Sequence, residues 1–218
     1  MKKLVIFDLD GTLLNTIADL ATATNHALHQ LGYPTHDTDT IRTFVGNGIN
    51  KLLERALPTE EKSEANVMRM RTHFIPYYDA HNADLSQPYP GIVALLEELQ
   101  AEGVMIAVAS NKYQEATCKL VAHYFPTIRF VEVLGQREGI PVKPDPCIVA
   151  DILRQAQVSP EETLYVGDSG VDMQTARNAG VEAIGVTWGF RPRTELEDYH
   201  PRGIIDHAHE LMEWVQRD

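Results

Sequence analysis

LVIFDLDGT, residues 4–12, is the stretch on which the fold of this chain turns. Four apolar residues, Leu4 to Phe7, run straight into Asp8, Leu9 and Asp10, and Gly11 and Thr12 follow. A short apolar run that ends at a turn reads as a buried strand. At the end of such a strand Asp8 and Asp10 point the same way while Leu9 points opposite, so the two carboxylates share one site. Ligands of open α/β sheets bind beyond the carboxyl ends of the strands, where this pair falls. Gly11 permits a sharp turn and Thr12 adds a hydroxyl. Asp-Gly turns are common, however, and taken alone the stretch supports a simple turn as readily as a site.

Further apolar runs recur along the chain: VMIAVA before Ser110, FVEVL before Gly135, TLYV before Gly167 and AIGV before Thr187. Helical patterns lie between them, in GIVALLEELQAEG, YQEATCKLVAHY and CIVADILRQAQ. This alternation predicts an α/β fold with a doubly wound parallel sheet. From Thr16 to Asn82 the alternation stops. Ile17, Leu20, Ala21, Thr24, Ala27, Leu28 and Leu31 recur at helical spacing, and further helices are expected over Thr40 to Phe44, Ile49 to Leu57 and Glu60 to Tyr78, the last kinked at Pro76. The polar, proline-bearing ADLSQPYPG reads as the return linker. The expected organisation is a core of residues 1–15 and 83–218 with an all-helical insertion at residues 16–82.

Three more stretches bear on the site. SNK places Ser110, Asn111 and Lys112 after a second strand, VKPDP presents Lys143 in a proline-restrained loop, and GDSGVD places Asp168 and Asp172 after a later strand. Each has an ordinary structural reading: Ser110 as a helix cap, Lys143 as a surface lysine, Asp168 and Asp172 as a cap and a first-turn acid. Their recurrence at strand ends, in this order, argues for one site.

FDLDGT, SNK, the lysine of VKPDP and GDSGVD together resemble the four signature motifs of the haloacid dehalogenase superfamily. The helical insertion resembles its smaller cap type, and RTFVGNGINKLLERAL within it is similar to the phosphoglycolate phosphatase branch. The resemblance implies a Rossmann-like sheet of the haloacid dehalogenase type with an inserted cap domain. It further implies a Mg²⁺-dependent phosphatase acting on a small phosphate monoester through an aspartyl-phosphate, with 2-phosphoglycolate as the expected substrate. A sugar-phosphate phosphatase, a pyrophosphatase or a hexose-phosphate mutase of the same family is the alternative, and a phosphoacceptor signalling module is the alternative outside enzymes. On this basis Asp8 is the expected nucleophile, Asp10 the general acid and base, and Lys143 the cation beside them. Asp8, Asp168 and the backbone carbonyl of Asp10 would hold Mg²⁺, a hard cation that prefers oxygen. Asp172 would steady Lys143 or metal-bound water. Thr12, Ser110 and Asn111 are expected at the substrate, and Gly46, Asn47 and Lys51 of VGNGINK at its organic end. Lys112 reads as solvated. Asn15 stands where many relatives carry an acidic residue.

Composition narrows the partners. With 44% hydrophobic and 23% charged residues, the 218-residue chain can bury a full core. Its net charge of −12 argues against nonspecific binding to nucleic acid. No run approaches the roughly 18 apolar residues of a membrane span. A cytoplasmic monomer or homodimer with a small phosphorylated metabolite as partner is the expectation. Cys118 and Cys147 read as ordinary small apolar residues in a reducing compartment. His207 and His209 read as lying on different faces of a helix, outside any metal set.

Overall fold

Six parallel strands form the central sheet of the computed structural model, which describes residues 1–217. In chain order the strands are β1 (Leu4–Phe7), β2 (Leu14–Asn15), β3 (Gln87–Pro88), β4 (Met105–Tyr113), β5 (Phe130–Gln136), β6 (Thr163–Gly167), β7 (Glu182–Val186) and β8 (Gly203–Ile205). The sheet order is β5-β4-β1-β6-β7-β8, while β2 and β3 form a separate antiparallel ribbon. All five expected strands are present. The sixth, β8, has only three residues and no apolar run of its own. β4 also continues through Ser110, Asn111 and Lys112, with a register shift against β5 after Ala109, where a turn was expected.

The central place of β1 fixes where the site lies. Phe7 is level with Val108 of β4 and Val166 of β6, so the residues just beyond these three emerge at one edge of the sheet. Strand alternation then sorts the core into two layers. Val5, Phe7, Val108 and Val166 face one side, and Leu4, Ile6, Ala107 and Tyr165 face the other. Helices cover both faces, as a doubly wound parallel sheet requires.

Ten α-helices accompany the strands among the described residues: α1 (Ile17–Gln30), α2 (Thr38–Phe44), α3 (Ile49–Ala56), α4 (Glu64–His81), α5 (Ile92–Ala101), α6 (Gln114–Tyr124), α7 (Cys147–Ala156), α8 (Gly170–Asn178), α9 (Arg193–Glu197) and α10 (Leu211–Gln216). The first four come before β3 and build a hydrophobic cluster of their own, in which Leu28, Leu53, Met70 and Phe74 are buried. Two of their starts carry side-chain caps, with Asp37 accepting from Thr40 N and Ser63 from Asn66 N. The expected helix over Glu60 to Tyr78 starts later, at Glu64, and runs on to His81 with Pro76 inside one unbroken element. Asp19 of α1 fastens the returning chain: its carboxylate accepts from Leu85 N, from Ser86 N at 2.8 Å and from Ser86 Oγ at 2.7 Å.

Some readings of isolated residues change. Cys118 and Cys147 are free and exposed rather than packed. His207 precedes a short 3-10 turn over Ala208–Glu210, not a longer helix, and its ring stacks on that of His209 with centroids 5.7 Å apart. Among the described residues, no helix is long and apolar enough to cross a membrane.

Candidate active site

At the edge of the sheet Asp8, Asp10, Ser110, Asn111, Lys143, Asp168 and Asp172 line one cavity of about 60 Å³. Asp8 continues β1 by donating its backbone N–H to Val166 O, while Leu9 turns into the core. Gly11 then takes φ +90°, and a Cβ there would collide with the Asp168 carboxylate. That position therefore needs glycine.

Lys143 is the hub of the charged floor. Its Nζ donates to Asp8 Oδ1 at 2.9 Å, Asp172 Oδ1 at 2.8 Å, Ala109 O at 2.9 Å and Tyr165 Oη at 3.0 Å. Burial alone would lower its pKa, but the Asp172 and Asp8 carboxylates outweigh burial and hold it raised. Asp172 is equally committed. Its second oxygen accepts from Ser169 Oγ at 2.6 Å in a capping box at the start of α8, so the capping reading and the Lys143 reading both describe it.

Asp168 lies opposite, 2% exposed. Its Oδ2 accepts from Phe190 N at 2.6 Å, and Thr12 Oγ1 lies 3.4 Å from its Oδ1. Gly189 makes the first of these bonds possible, because a Cβ at that position would strike the Asp168 side chain and Gly11 O. Oxygens of Asp8, Asp168 and Asp172 lie within 4.8 Å of one another. Burial, opposed by Lys143 and helped by Asp172, pushes the Asp8 carboxyl up to about 7. Burial, then Asp172 and Asp8, pushes Asp168 well above the usual carboxylate range. When ionised, the three carboxylates with Lys143 leave two negative charges uncompensated in a buried space. Such an excess fits a divalent cation with oxygen ligands. Asp8 Oδ2 and Asp168 Oδ1 are the freer donors, since Asp172 spends both oxygens within the protein.

Asp10 faces the same cavity with different partners. Thr16 Oγ1 donates to its Oδ1 at 2.6 Å, and Lys112 Nζ lies 3.1 Å from its Oδ2. Ser110 Oγ accepts from Lys112 N at 3.2 Å and keeps its hydroxyl hydrogen for a ligand.

Several expected substrate contacts are placed elsewhere. Asn111 is spent on backbone, donating to Gly46 O and Lys143 O and accepting from Lys143 N, so it ties three segments together instead of offering groups to a ligand. Asn47 accepts from Arg55 Nη2 at 2.9 Å and is off the cavity wall. Lys51 is in solvent, paired with Glu54 at 2.6 Å. Thr12 is fully buried behind Asp168 and also off the wall. Gly46 does line the cavity, at φ +118°. Lys112 reverses its expectation of solvation: its side chain is 4% exposed.

Other contributors carried no motif. Tyr165 and Gly189 sat within an apolar run and a loop, and Tyr78 within a helical pattern; strand alternation alone could have turned Tyr165 towards Lys143. The roof of the cavity is built from Leu20, Val45, Ile49, Leu52 and Phe74, all from α1 to α4 and the loop between α2 and α3. Arg191 clasps that roof from the loop after β7, donating to Arg42 O at 2.9 Å and Val45 O at 2.5 Å.

Comparison with known proteins bears on the family and the fold. A family described as haloacid dehalogenase-like hydrolase matches residues 5–186. The phosphoglycolate phosphatase of Vibrio parahaemolyticus serotype O3:K6 is 34% identical over 218 residues, covering 98% of this chain and 96% of the relative. That of Mesorhizobium japonicum is 31% identical over 208 residues, covering 94% and 91%. A solved structure from Lactobacillus delbrueckii subsp. bulgaricus superposes with a TM-score of 0.92 at 34% identity over the whole of both chains.

Proposed function

This chain belongs to the haloacid dehalogenase-like hydrolase family and is a phosphatase, and from that premise we propose that it hydrolyses 2-phosphoglycolate to glycolate and phosphate through a phosphorylated Asp8. The observation that carries the mechanism is the pairing of Asp8 with Lys143 at 2.9 Å beside an Asp10 that faces the same cavity without sharing that lysine. The substrate itself is supported by the names of the two relatives.

Asp8 attacks phosphorus as the ester P–O bond breaks, and Asp10 delivers its proton to the leaving oxygen. Asp10 then takes a proton from the water that opens the aspartyl-phosphate. Lys143 offsets repulsion between an anionic nucleophile and an anionic phosphate, and Ser110 donates its hydroxyl hydrogen to a phosphate oxygen. Mg²⁺, held by Asp8, Asp168 and the Asp10 carbonyl, would supply charge neutralisation for the transferred oxygens. In this reading residues 16–82 are a cap domain over a core of residues 1–15 and 83–218. The cap excludes bulk water and bounds the organic end of the substrate.

The test is phosphate release from 2-phosphoglycolate. Many turnovers per chain are expected with Mg²⁺, none in excess chelator, and recovery when Mg²⁺ is restored. A single phosphorylation per chain without release would favour a phosphoacceptor module instead.

A further inference from the structure

Lys112 is the cation that the catalytic scheme leaves over. Three cationic side chains line the cavity. Lys143 divides three protons among four acceptors, and Arg191 is held by the carbonyls of Arg42, Thr43 and Val45. Lys112 has two partners for its three protons, Asp10 at 3.1 Å and Tyr78 Oη at 2.8 Å. Its Nζ also lies 4.6 Å from the centroid of the Tyr78 ring, and among the described residues one N–H has no hydrogen-bond acceptor.

Tyr78 is in the same position. It is 1% exposed, it lines the cavity, and its hydroxyl accepts from Lys112 while its own proton has no acceptor among the described residues. Burial keeps that group a neutral phenol and so a donor. An unmatched buried donor is costly, and two that converge on one space mark a place built for an acceptor. The surrounding roof, Leu20, Val45, Ile49, Leu52 and Phe74, offers no competing side-chain polar group. The donors come from opposite sides of the cavity: Lys112 stands on β4 of the sheet and Tyr78 on α4 of the helical segment. They meet only with the two parts together.

We propose that Lys112 and Tyr78 form the specificity site of this phosphatase and bind a carboxylate carried one carbon from the ester oxygen. The inference rests on the phosphatase reading of the same cavity and adds the residues that choose the organic group. Placement follows from Asp10. The carboxylic acid that protonates the leaving oxygen touches Lys112, so a charged group two bonds beyond that oxygen reaches the ammonium and the phenol together. An ester that ends in a neutral hydroxyl offers the ammonium and the phenol one uncharged acceptor oxygen in place of two anionic ones, a weaker match for the pair.

The experiment compares kcat/KM for 2-phosphoglycolate with that for 2-hydroxyethyl phosphate, which is of similar size but uncharged at the far end. It uses the full chain with Mg²⁺, as wild type, Tyr78→Phe and Lys112→Met. The ratio of the two specificity constants is expected to fall about tenfold in Tyr78→Phe and about a hundredfold in Lys112→Met, with the loss carried by KM of the carboxylated ester. Inhibition by glycolate should weaken in both variants more than inhibition by inorganic phosphate. If Lys112→Met does not fold, Tyr78→Phe decides, since it keeps the ring and loses one oxygen. An unchanged ratio in both variants, or equal losses on both esters, overturns the assignment and leaves the phosphatase standing. A wild type that turns over 2-hydroxyethyl phosphate and not 2-phosphoglycolate overturns the substrate reading as well.

Discussion

The floor and the roof of the cavity are held in place by different forces. Below it, Lys143, Asp8, Asp168 and Asp172 are buried charges fixed by hydrogen bonds at the ends of β1 and β6 and the start of α8. Above it, the helical segment is ordered by apolar packing around Leu53 and Met70 and meets the cavity mostly with hydrocarbon. Hydrophobic burial favours the fold, whereas gathering carboxylates out of water opposes it. The floor is therefore where this protein stores cost, and the roof is where it gains stability. A mutation of the charged floor should cost activity more than stability, and one in the apolar roof stability more than activity.

The largest effect is expected from Asp8→Asn. An amide is a far poorer nucleophile, and turnover of 2-phosphoglycolate should fall by about ten-thousandfold or more. The same change removes one charge from a buried excess of negative charge while Lys143 keeps Asp172, so the metal-free variant should melt no lower than wild type above pH 7. Loss of both activity and stability would break the comparison. Leu53→Ala is the converse. Leu53 is fully buried in the helical cluster and does not line the cavity, and its truncation should cost about 2–5 kcal/mol in denaturant melts. At temperatures well below the transition its kcat should stay within about threefold of wild type, because no polar atom of the floor depends on it.

The same contrast explains what could be read in advance. Most floor residues sit at or just beyond strand ends, where alternation and turn chemistry are local, and Asp8, Asp10, Ser110, Lys143, Asp168 and Asp172 all fall at the cavity. Residues at the roof depend on which helix face turns inward. Asn47 and Lys51 were expected at the substrate from their place in VGNGINK, but α3 presents Ile49 and Leu52 to the cavity and turns Lys51 to solvent, where Glu54 one turn on receives it. Asn111 could not be assigned from its place in SNK, since its partners Gly46 and Lys143 are 65 and 32 residues away. Lys112 and Tyr78 failed for a related reason. The general tendency of lysine to be solvated is right on average, and an exception needs a partner from another element. That partner is 34 residues distant.

The smallest effect is a proton linkage that sharpens the account of the floor. Burial raises the Asp8 carboxyl to about 7 in the folded, metal-free protein, against roughly 3.9 in an unfolded chain. A raised folded pKa contributes stability that is fully present below the unfolded value and is lost as pH rises through the folded one. The metal-free protein should therefore lose stability between about pH 4 and pH 7 from this group, and Asp168, shifted in the same direction, adds to the loss. Mg²⁺ needs the ionised carboxylates, so binding below pH 7 must expel the Asp8 proton, and apparent affinity should weaken by at least about tenfold per pH unit on descending from 7, with Asp168 steepening the fall. The rise in melting temperature produced by a fixed Mg²⁺ concentration should accordingly be larger at pH 8 than at pH 6. Asp8→Asn should reduce that difference, because one of the two groups that exchange a proton is gone and Asp168 remains. A Mg²⁺-induced shift that is the same at both pH values in wild type would mean that Asp8 is already ionised in the metal-free fold. The Lys143 ammonium would then have to balance the floor without a divalent ion.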